Sequence, residues 1–393
     1  MSGAMSLYIH APFCAGACDY CDFYSIPVKQ DDERLDRFVT VLLGEAEERL
    51  RRFNVTAVPT LYIGGGTPSL LGAGRMRRLL AGLRVLLPQW PGEATVEVNP
   101  ESADEEFLTA CLNGGVNRIS AGVQSFHEPS RLMVRRVGNG KLLPQRLALL
   151  ASLYGEAFSA DLIAGLPGQH EGALREDLAR LLAFKPGHVS LYALTLEDGV
   201  PLADASSPIP LLPEDEADRL WLIGRDILEN AGYAQYEVSN FALPGRRSAH
   251  NIRYWRMENW IGLGPAASST IISTGSGGAL AEGRRYVHAP DVDAYLAERP
   301  APAEEYLDAR TLIKETCLMG FRYREGPDRE LFIRRFYQDI EEYIPRALSR
   351  WRKRGLMVPG MTALNREGLL FLNAFLVDVF AELDGGSSWT DSS

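Results

Sequence analysis

Cysteine is scarce in this chain, with five in 393 residues. Cys111 and Cys317 stand alone inside amphipathic helical patterns and read as small buried hydrophobes. The other three crowd into "CAGACDYC", Cys14 to Cys21, and an odd number leaves one thiol over in any disulfide scheme. Long apolar runs are missing as well, none reaching the ~18 residues of a membrane span. Met1-Ser2-Gly3-Ala4-Met5 has neither a basic start nor an apolar stretch behind it, so no export signal is expected. The expected compartment is therefore the reducing cytoplasm, where clustered thiols mean metal or catalysis. Excess positive charge is also absent: 41 Lys and Arg face 51 Asp and Glu, net −10, which argues against a nucleic-acid partner. No repeat of solenoid period occurs. With 46% hydrophobic and 23% charged residues, the chain is long enough for two domains or for a barrel with an appendage.

What is present is alternation. Short apolar runs at Ser6–His10, Thr60–Ile63, Ala94–Val98, Arg118–Val123, Ser159–Ala164 and His188–Leu194 read as strands. Between them Asp31–Arg52, Gly74–Leu86, Ala103–Asn113, Leu142–Tyr154 and Glu171–Phe184 read as helices. Such alternation predicts an α/β protein of six βαβ-type units with right-handed crossovers, forming an α/β barrel or a doubly wound open sheet. The polar and glycine-bearing stretches come just after the strands: His10, then Gly64-Gly65-Gly66-Thr67, Asn99-Pro100-Glu101, Gln124-Ser125-Phe126 and Gly165-Leu166-Pro167-Gly168. Parallel α/β folds carry their sites at these C-terminal strand ends, so all these motifs fall on one rim. "SSPIPLLP", from Ser206, marks a boundary. The expected division is a barrel at 1–205, a connecting region at 206–302, a helical domain at 303–384 and a disordered tail at 385–393. Helices are expected in the third part at Glu304–Met319, Arg329–Phe336, Ile340–Arg354 and Leu369–Leu383. The basic run Arg346, Arg350, Arg352, Lys353, Arg354 reads as a solvated helix face.

Three thiolates on one short loop suit a cuboidal iron–sulfur cluster with one iron left open to a small ligand. Structural zinc needs a fourth donor, which His10 or Asp22 would have to supply. "GGGTPS" lacks the Gly-Lys-Ser/Thr of a nucleotide phosphate loop. Its glycines either let backbone approach a ligand or merely make a tight turn. Glu97, at a strand end, offers two acceptor oxygens suited to a cis-diol, or is a solvated carboxylate. His10 at the rim is a proton carrier, a tetrapyrrole contact or a hydrogen-bonded core residue. In "HNIRYW", His250 offers an imidazole to haem iron and Tyr254 and Trp255 a flat apolar face, the alternative being ordinary aromatic packing.

Cys14-x3-Cys18-x2-Cys21 after the first strand resembles the signature of the radical S-adenosylmethionine (SAM) superfamily. "LYIHAPFC", "YIGGGTPSLL", "EVNPE", "GVNRISAGVQSF", "DLIAGLPGQ", "HNIRYW" and the C-terminal helical segment resemble its coproporphyrinogen III oxidase-like branch, most of all the HemW-type haem chaperones. The resemblance implies a partial (β/α)6 barrel followed by a small winged-helix-like domain. It implies a [4Fe–4S] cluster on Cys14, Cys18 and Cys21, with SAM against its open iron and contacted by Tyr8, Tyr20, Gly65, Gly66, Thr67 and Glu97. Gln124, Arg136 and Asp161 match positions that contact a second SAM in the porphyrinogen oxidase, an Arg136–Asp161 ion pair being the bland reading. It also implies haem b, held by His250 with Tyr254, Trp255 and His10 as further candidates, and oriented through Asn251. The expected function is delivery of haem to acceptor haemoproteins, including respiratory proteins met at the inner face of the membrane, with an electron donor for the cluster. The competing function is oxygen-independent coproporphyrinogen III oxidation. Two departures disfavour it: Asp22-Phe23-Tyr24 stand where that enzyme has a fourth cysteine, and only Met1 to Leu7 precede Tyr8 where it has a long arm.

Overall fold

The computed structural model describes residues 3–275, 279–299 and 301–385. Six parallel strands run in chain order: β1 (Ser6–Ala11), β2 (Thr60–Gly65), β3 (Glu93–Val98), β4 (Arg118–Gln124), β5 (Phe158–Ala164) and β6 (His188–Ala193). Helices α1 (Arg34–Arg52), α2 (Gly72–Leu86), α3 (Glu105–Asn113), α4 (Leu143–Tyr154) and α5 (Glu171–Leu182) connect them. Neighbours in the sheet are neighbours in sequence, β1-β2-β3-β4-β5-β6, with no reversal. Right-handed crossovers then put every connecting helix on one face, and the other face becomes the inside of a curved, partly closed wall. A doubly wound sheet needs a reversal of order, which is absent.

Period-two alternation assigns the two faces. Leu61 and Ile63, Val96 and Val98, and Ile119, Ala121 and Val123 turn outward into the core beneath the helices. The alternate residues Thr60 and Tyr62, Thr95 and Glu97, and Arg118 and Ser120 turn into the lumen. The barrel is thus apolar outside and polar inside, so every lumenal group needs a hydrogen-bond partner or a ligand.

A seventh parallel strand escaped the sequence reading. After α6 (Glu214–Asn230), β7 (Ala234–Gln235), which takes the sheet edge, and β8 (Asn240–Ala242), which pairs between β6 and β7, β9 (Trp260–Leu263) lies parallel to β1, Ser6 opposite Trp260. From it the sheet continues antiparallel through β10 (Ser268–Ser273), β11 (Glu282–Val287) and β12 (Ala303–Leu307). The helix expected from Glu304 therefore starts only at Ala309, capped by Asp308, whose carboxylate accepts from Thr311 N at 2.8 Å. The helix expected at Ile340–Arg354 is broken in two at Pro345, which cannot donate to a helix interior. These helices and the last one, Leu372–Gly385, close over Trp351, Phe321 and Phe375 as a second core. An isolated antiparallel bridge joins Met357 to Leu364. Cys111 and Cys317 are fully buried. Arg346, Arg350 and Arg352 are paired on the surface with Glu382, Asp378 and Glu341. Among the described residues no helix is long and apolar enough to cross a membrane. Of the expected tail, 385–393, Gly385 ends the last helix and 386–393 lie outside the described residues.

Candidate cofactor site

The thiol loop leaves β1 at Ala11 and is laced to the glycine run. Gly66 N donates to Ala11 O at 2.9 Å and Thr67 N to Phe13 O at 2.6 Å. A Cβ on Gly66 would lie 2.7 Å from Phe13 O, and one on Gly65, whose φ is +103°, 2.6 Å from His10 Nδ1. Glycine is therefore required twice: for backbone approach at Gly66, and for both approach and the left-handed conformation at Gly65. Cys14 Sγ sits 3.3 Å from Thr67 Oγ1, and Cys21 N closes a turn onto Cys18 O at 3.2 Å. All three thiols border a cavity of about 530 Å³ at the C-terminal ends of the strands. Burial pushes the Cys21 thiol up to about 11. Arg136 brings a cation to this side, donating to Gly122 O at 2.6 Å with Nη1 3.8 Å from Cys18 Sγ.

The cavity also gathers Tyr20, Gly65, Gly66, Thr67, Glu97, Gln124 and Asp161. Glu97 accepts from Tyr62 Oη at 2.6 Å and from Gly65 N at 3.1 Å. Burial among protein atoms raises its carboxyl to about 7 despite these donors. Asp161 is raised by burial too, and accepts from Ser120 Oγ at 3.3 Å. No Arg136–Asp161 ion pair forms within 4.0 Å, which corrects the bland reading: Arg136 is committed to a carbonyl and a thiol instead. Gln124 adopts φ +65° where the β4–β5 register slips, a costly conformation that turns its backbone at the rim. Tyr20 Oη is buried without a partner.

Tyr8 and His10 lie just beneath. His10 Nε2 is 2.8 Å from the Tyr24 carbonyl, which only accepts, so Nε2 carries the proton and Nδ1 accepts from Tyr8 Oη at 3.0 Å. With both nitrogens engaged, His10 is no fourth zinc ligand, and Asp22 is exposed. Among the described residues no three His, Cys, Asp or Glu side chains close around a single-ion position. Three soft thiols along one wall of a roomy cavity fit a cluster, not a tetrahedral zinc ion.

The residues proposed for haem are elsewhere. Helix α7 (Ala249–Trp255) lies under the N-terminal end of the barrel, its first amides Ala249 N and His250 N donating to the Glu93 carboxylate at 2.9 and 2.8 Å. His250, 1% exposed, inserts into the lumen, bonded through Nδ1 to Thr60 Oγ1 at 2.9 Å and stacked on Tyr62 at 5.0 Å. Burial lowers its pKa to about 3, keeping it neutral. Thr60, not Asn251, orients the ring. Tyr254 meets Trp260 edge to face, and Trp255 packs against Tyr236 and Tyr323. In this conformation His250, Tyr254, Trp255 and His10 form no open surface for a porphyrin. They belong to a plug and to the lumenal lining.

Two lumenal residues were passed over. Tyr62 holds Glu97, and its position was legible as the polar alternate of "TLYIGG". Arg118 was legible the same way, being in phase with Ser120, Gly122 and Gln124 in "RISAGVQ".

Residues 8–181 match the Radical SAM superfamily, the class that this barrel and its thiol loop define. The chain is 40% identical to the haem chaperone HemW of Escherichia coli over 68% of its own length and 70% of the relative's. It is 34% identical to the HemW of Lactococcus lactis over 86% of each. The fold superposes on coproporphyrinogen III oxidase (HemN) from Escherichia coli with a TM-score of 0.79, covering 96% of this chain and 90% of that one at 21% identity. The chain belongs to the radical SAM superfamily and, within it, to the family of the HemW proteins. Membership implies a [4Fe–4S] cluster and SAM.

Proposed function

We propose that the protein is a haem chaperone: it binds haem b and passes it to acceptor haemoproteins, among them respiratory proteins reached from the inner face of the membrane. The observation carrying this reading is the similarity to proteins named as haem chaperones over most of both chains. Cys14, Cys18 and Cys21 hold the cluster. Tyr8, Tyr20, Gly65, Gly66, Thr67 and Glu97 hold SAM, with the glycine run at its methionine end and Glu97 at the ribose diol. Once loaded, the site supplies one-electron cleavage of a sulfonium, fed by an external electron donor.

One observation favours a second reading. Gln124, Arg136 and Asp161 converge on the same cavity, as they would in a coproporphyrinogen III oxidase using two SAM molecules. Against it, Asp22 and Phe23 stand beyond the triad where that enzyme has another cysteine, and Phe23 is 65% exposed. The deciding experiment uses anaerobically reconstituted protein. Haem binding and transfer to an apo-haemoprotein should occur, and SAM-dependent conversion of coproporphyrinogen III to its divinyl product should not. Robust divinyl product without haem transfer would reverse the assignment.

A further inference from the structure

Arg118 opens β4 on the lumenal face and is 8% exposed. Register places it beside Thr95 on β3, and Thr95 beside Tyr62 on β2. Glu97 pairs with Ser120, one lumenal layer nearer the rim. Among the described residues the guanidinium has no hydrogen-bond partner and no carboxylate within 4.0 Å. The guanidinium nitrogens keep solvent contact in the lumen, and their charge acts across it on groups beyond contact distance. The buried carboxyl of Glu97 lies one row nearer the rim, beside Ser120, and that of Asp161 two rows nearer, beside Gly122.

We propose that Arg118 is a positioning residue for the nucleoside end of the SAM site: its charge, one row below Glu97 and two below Asp161, favours the ionised form of these carboxyls, which accepts hydrogen bonds from hydroxyls. The proposal rests on the assignment of Glu97 to the SAM ribose. The groups facing Glu97 and Asp161 from each wall are few. β1 brings Tyr8, β2 Tyr62 and the Gly65 amide, and β6 Tyr192. Ser120 and Ser190 flank Asp161, and Arg136 approaches it from the rim. From below come His250 and His188, both kept neutral by burial, and Tyr236. The tyrosines and imidazoles carry no charge near neutrality, so Arg118 is the cation acting on Glu97, and it shares Asp161 with Arg136. Arginine suits the role because it cannot release its proton to the carboxyls it serves.

SAM affinity of the reconstituted protein should be measured between pH 6 and 9. In the parent, affinity should rise with pH as Glu97 ionises near 7. Arg118→Gln should move that rise upward, costing roughly tenfold at pH 7 for each unit of displacement and recovering by pH 9. Arg118→Lys should restore the parent profile. Arg118→Met, which keeps the stem that packs in the lumen, serves if the glutamine variant does not fold. An unchanged profile in Arg118→Gln, or equal loss at every pH without rescue by lysine, would overturn the proposal. Glu97→Gln separates this failure from that of the underlying assignment: if it binds SAM with the parent's affinity and profile, Glu97 is not the ribose acceptor. A cluster-free check is the carboxyl infrared band assigned through Glu97→Gln, whose protonation midpoint should rise in Arg118→Gln and stay in Arg118→Lys.

Discussion

The two ends of the barrel are built from the same alternating strands and are finished differently. At the N-terminal end α7 inserts His250 between Thr60 and Tyr62, Glu93 caps the helix, and Arg253 Nε donates to Ser6 Oγ at 2.7 Å. At the C-terminal end Gly65 and Gln124 hold positive φ, Tyr20 Oη lacks a partner and Glu97 sits near its titration midpoint at neutral pH. One end is closed by a protein plug, although His250 Nε2 and Thr95 Oγ1 stay buried there without a partner. The other opens into the cavity. Their pH responses have opposite signs. Glu97 is raised on folding, so its contribution to stability is full below its unfolded value of 4.5 and is lost as pH climbs through about 7. The imidazoles of His10, His188 and His250 are depressed, so their contribution is full above 6.5 and is lost as pH falls below it.

Replacing Cys14, Cys18 and Cys21 together by alanine should have the largest effect, removing the cluster altogether while the base of the barrel stays folded; iron and sulfide analysis with circular dichroism tests both halves. A variant that retains a full cluster would move the site away from this rim. Gly65→Val forces a branched side chain onto the His10 ring at positive φ, a strain of about 1–3 kcal/mol. It should weaken SAM binding about tenfold or more without stripping iron, as titration followed by cluster EPR would read. At the other end, His250→Ala should cost about 2–4 kcal/mol through a lumenal cavity and a lost hydrogen bond, seen in the urea midpoint. The Soret band and haem affinity should be unchanged. Weaker haem binding at preserved stability would mean the plug opens to admit haem. The acid sensitivity of the base is a gentler probe: between pH 6.5 and 5.5 each buried neutral imidazole should remove up to about 1.4 kcal/mol, and His250→Ala should flatten that slope. Glu93→Gln, which keeps the acceptor and drops the charge at the helix start, should cost about 1 kcal/mol or less.

The first half of the fold was legible because its strands and helices have the two clearest periods a sequence offers. Six strands and five helices fall within a few residues of their expected limits, and the thiol loop, glycine run, Glu97, Gln124, Arg136 and Asp161 meet in one cavity as their places after strands required. The second half was harder for physical reasons. "WIGL" is only four residues long, and what makes it a parallel strand is β1, distant in sequence. Ala303–Leu307 is mostly exposed at a sheet edge and carries charges at Glu304 and Glu305, a pattern equally at home on a helix. The haem reading of "HNIRYW" rests on resemblance, with ordinary aromatic packing as its alternative. Aromatics and histidine serve a barrel plug equally well, and only the direction in which His250 points separates the two uses.

The pairing of Ser6 with Trp260 sets the order of events during synthesis. One flank of β1 can bind β2 soon after residue 65 emerges, but its other flank waits for β9. At ribosomal speeds of about 5–20 residues per second, the roughly 200 residues between them take on the order of 10–40 s. Through that interval the strand feeding the thiol loop has a bare edge, and the three cysteines hang on a half-finished wall. Nascent chains should therefore be accessible to thiol reagents and to iron–sulfur delivery until β9 is out of the exit tunnel. Arrested chains from which residue 263 has and has not emerged should differ sharply in alkylation of Cys14, Cys18 and Cys21.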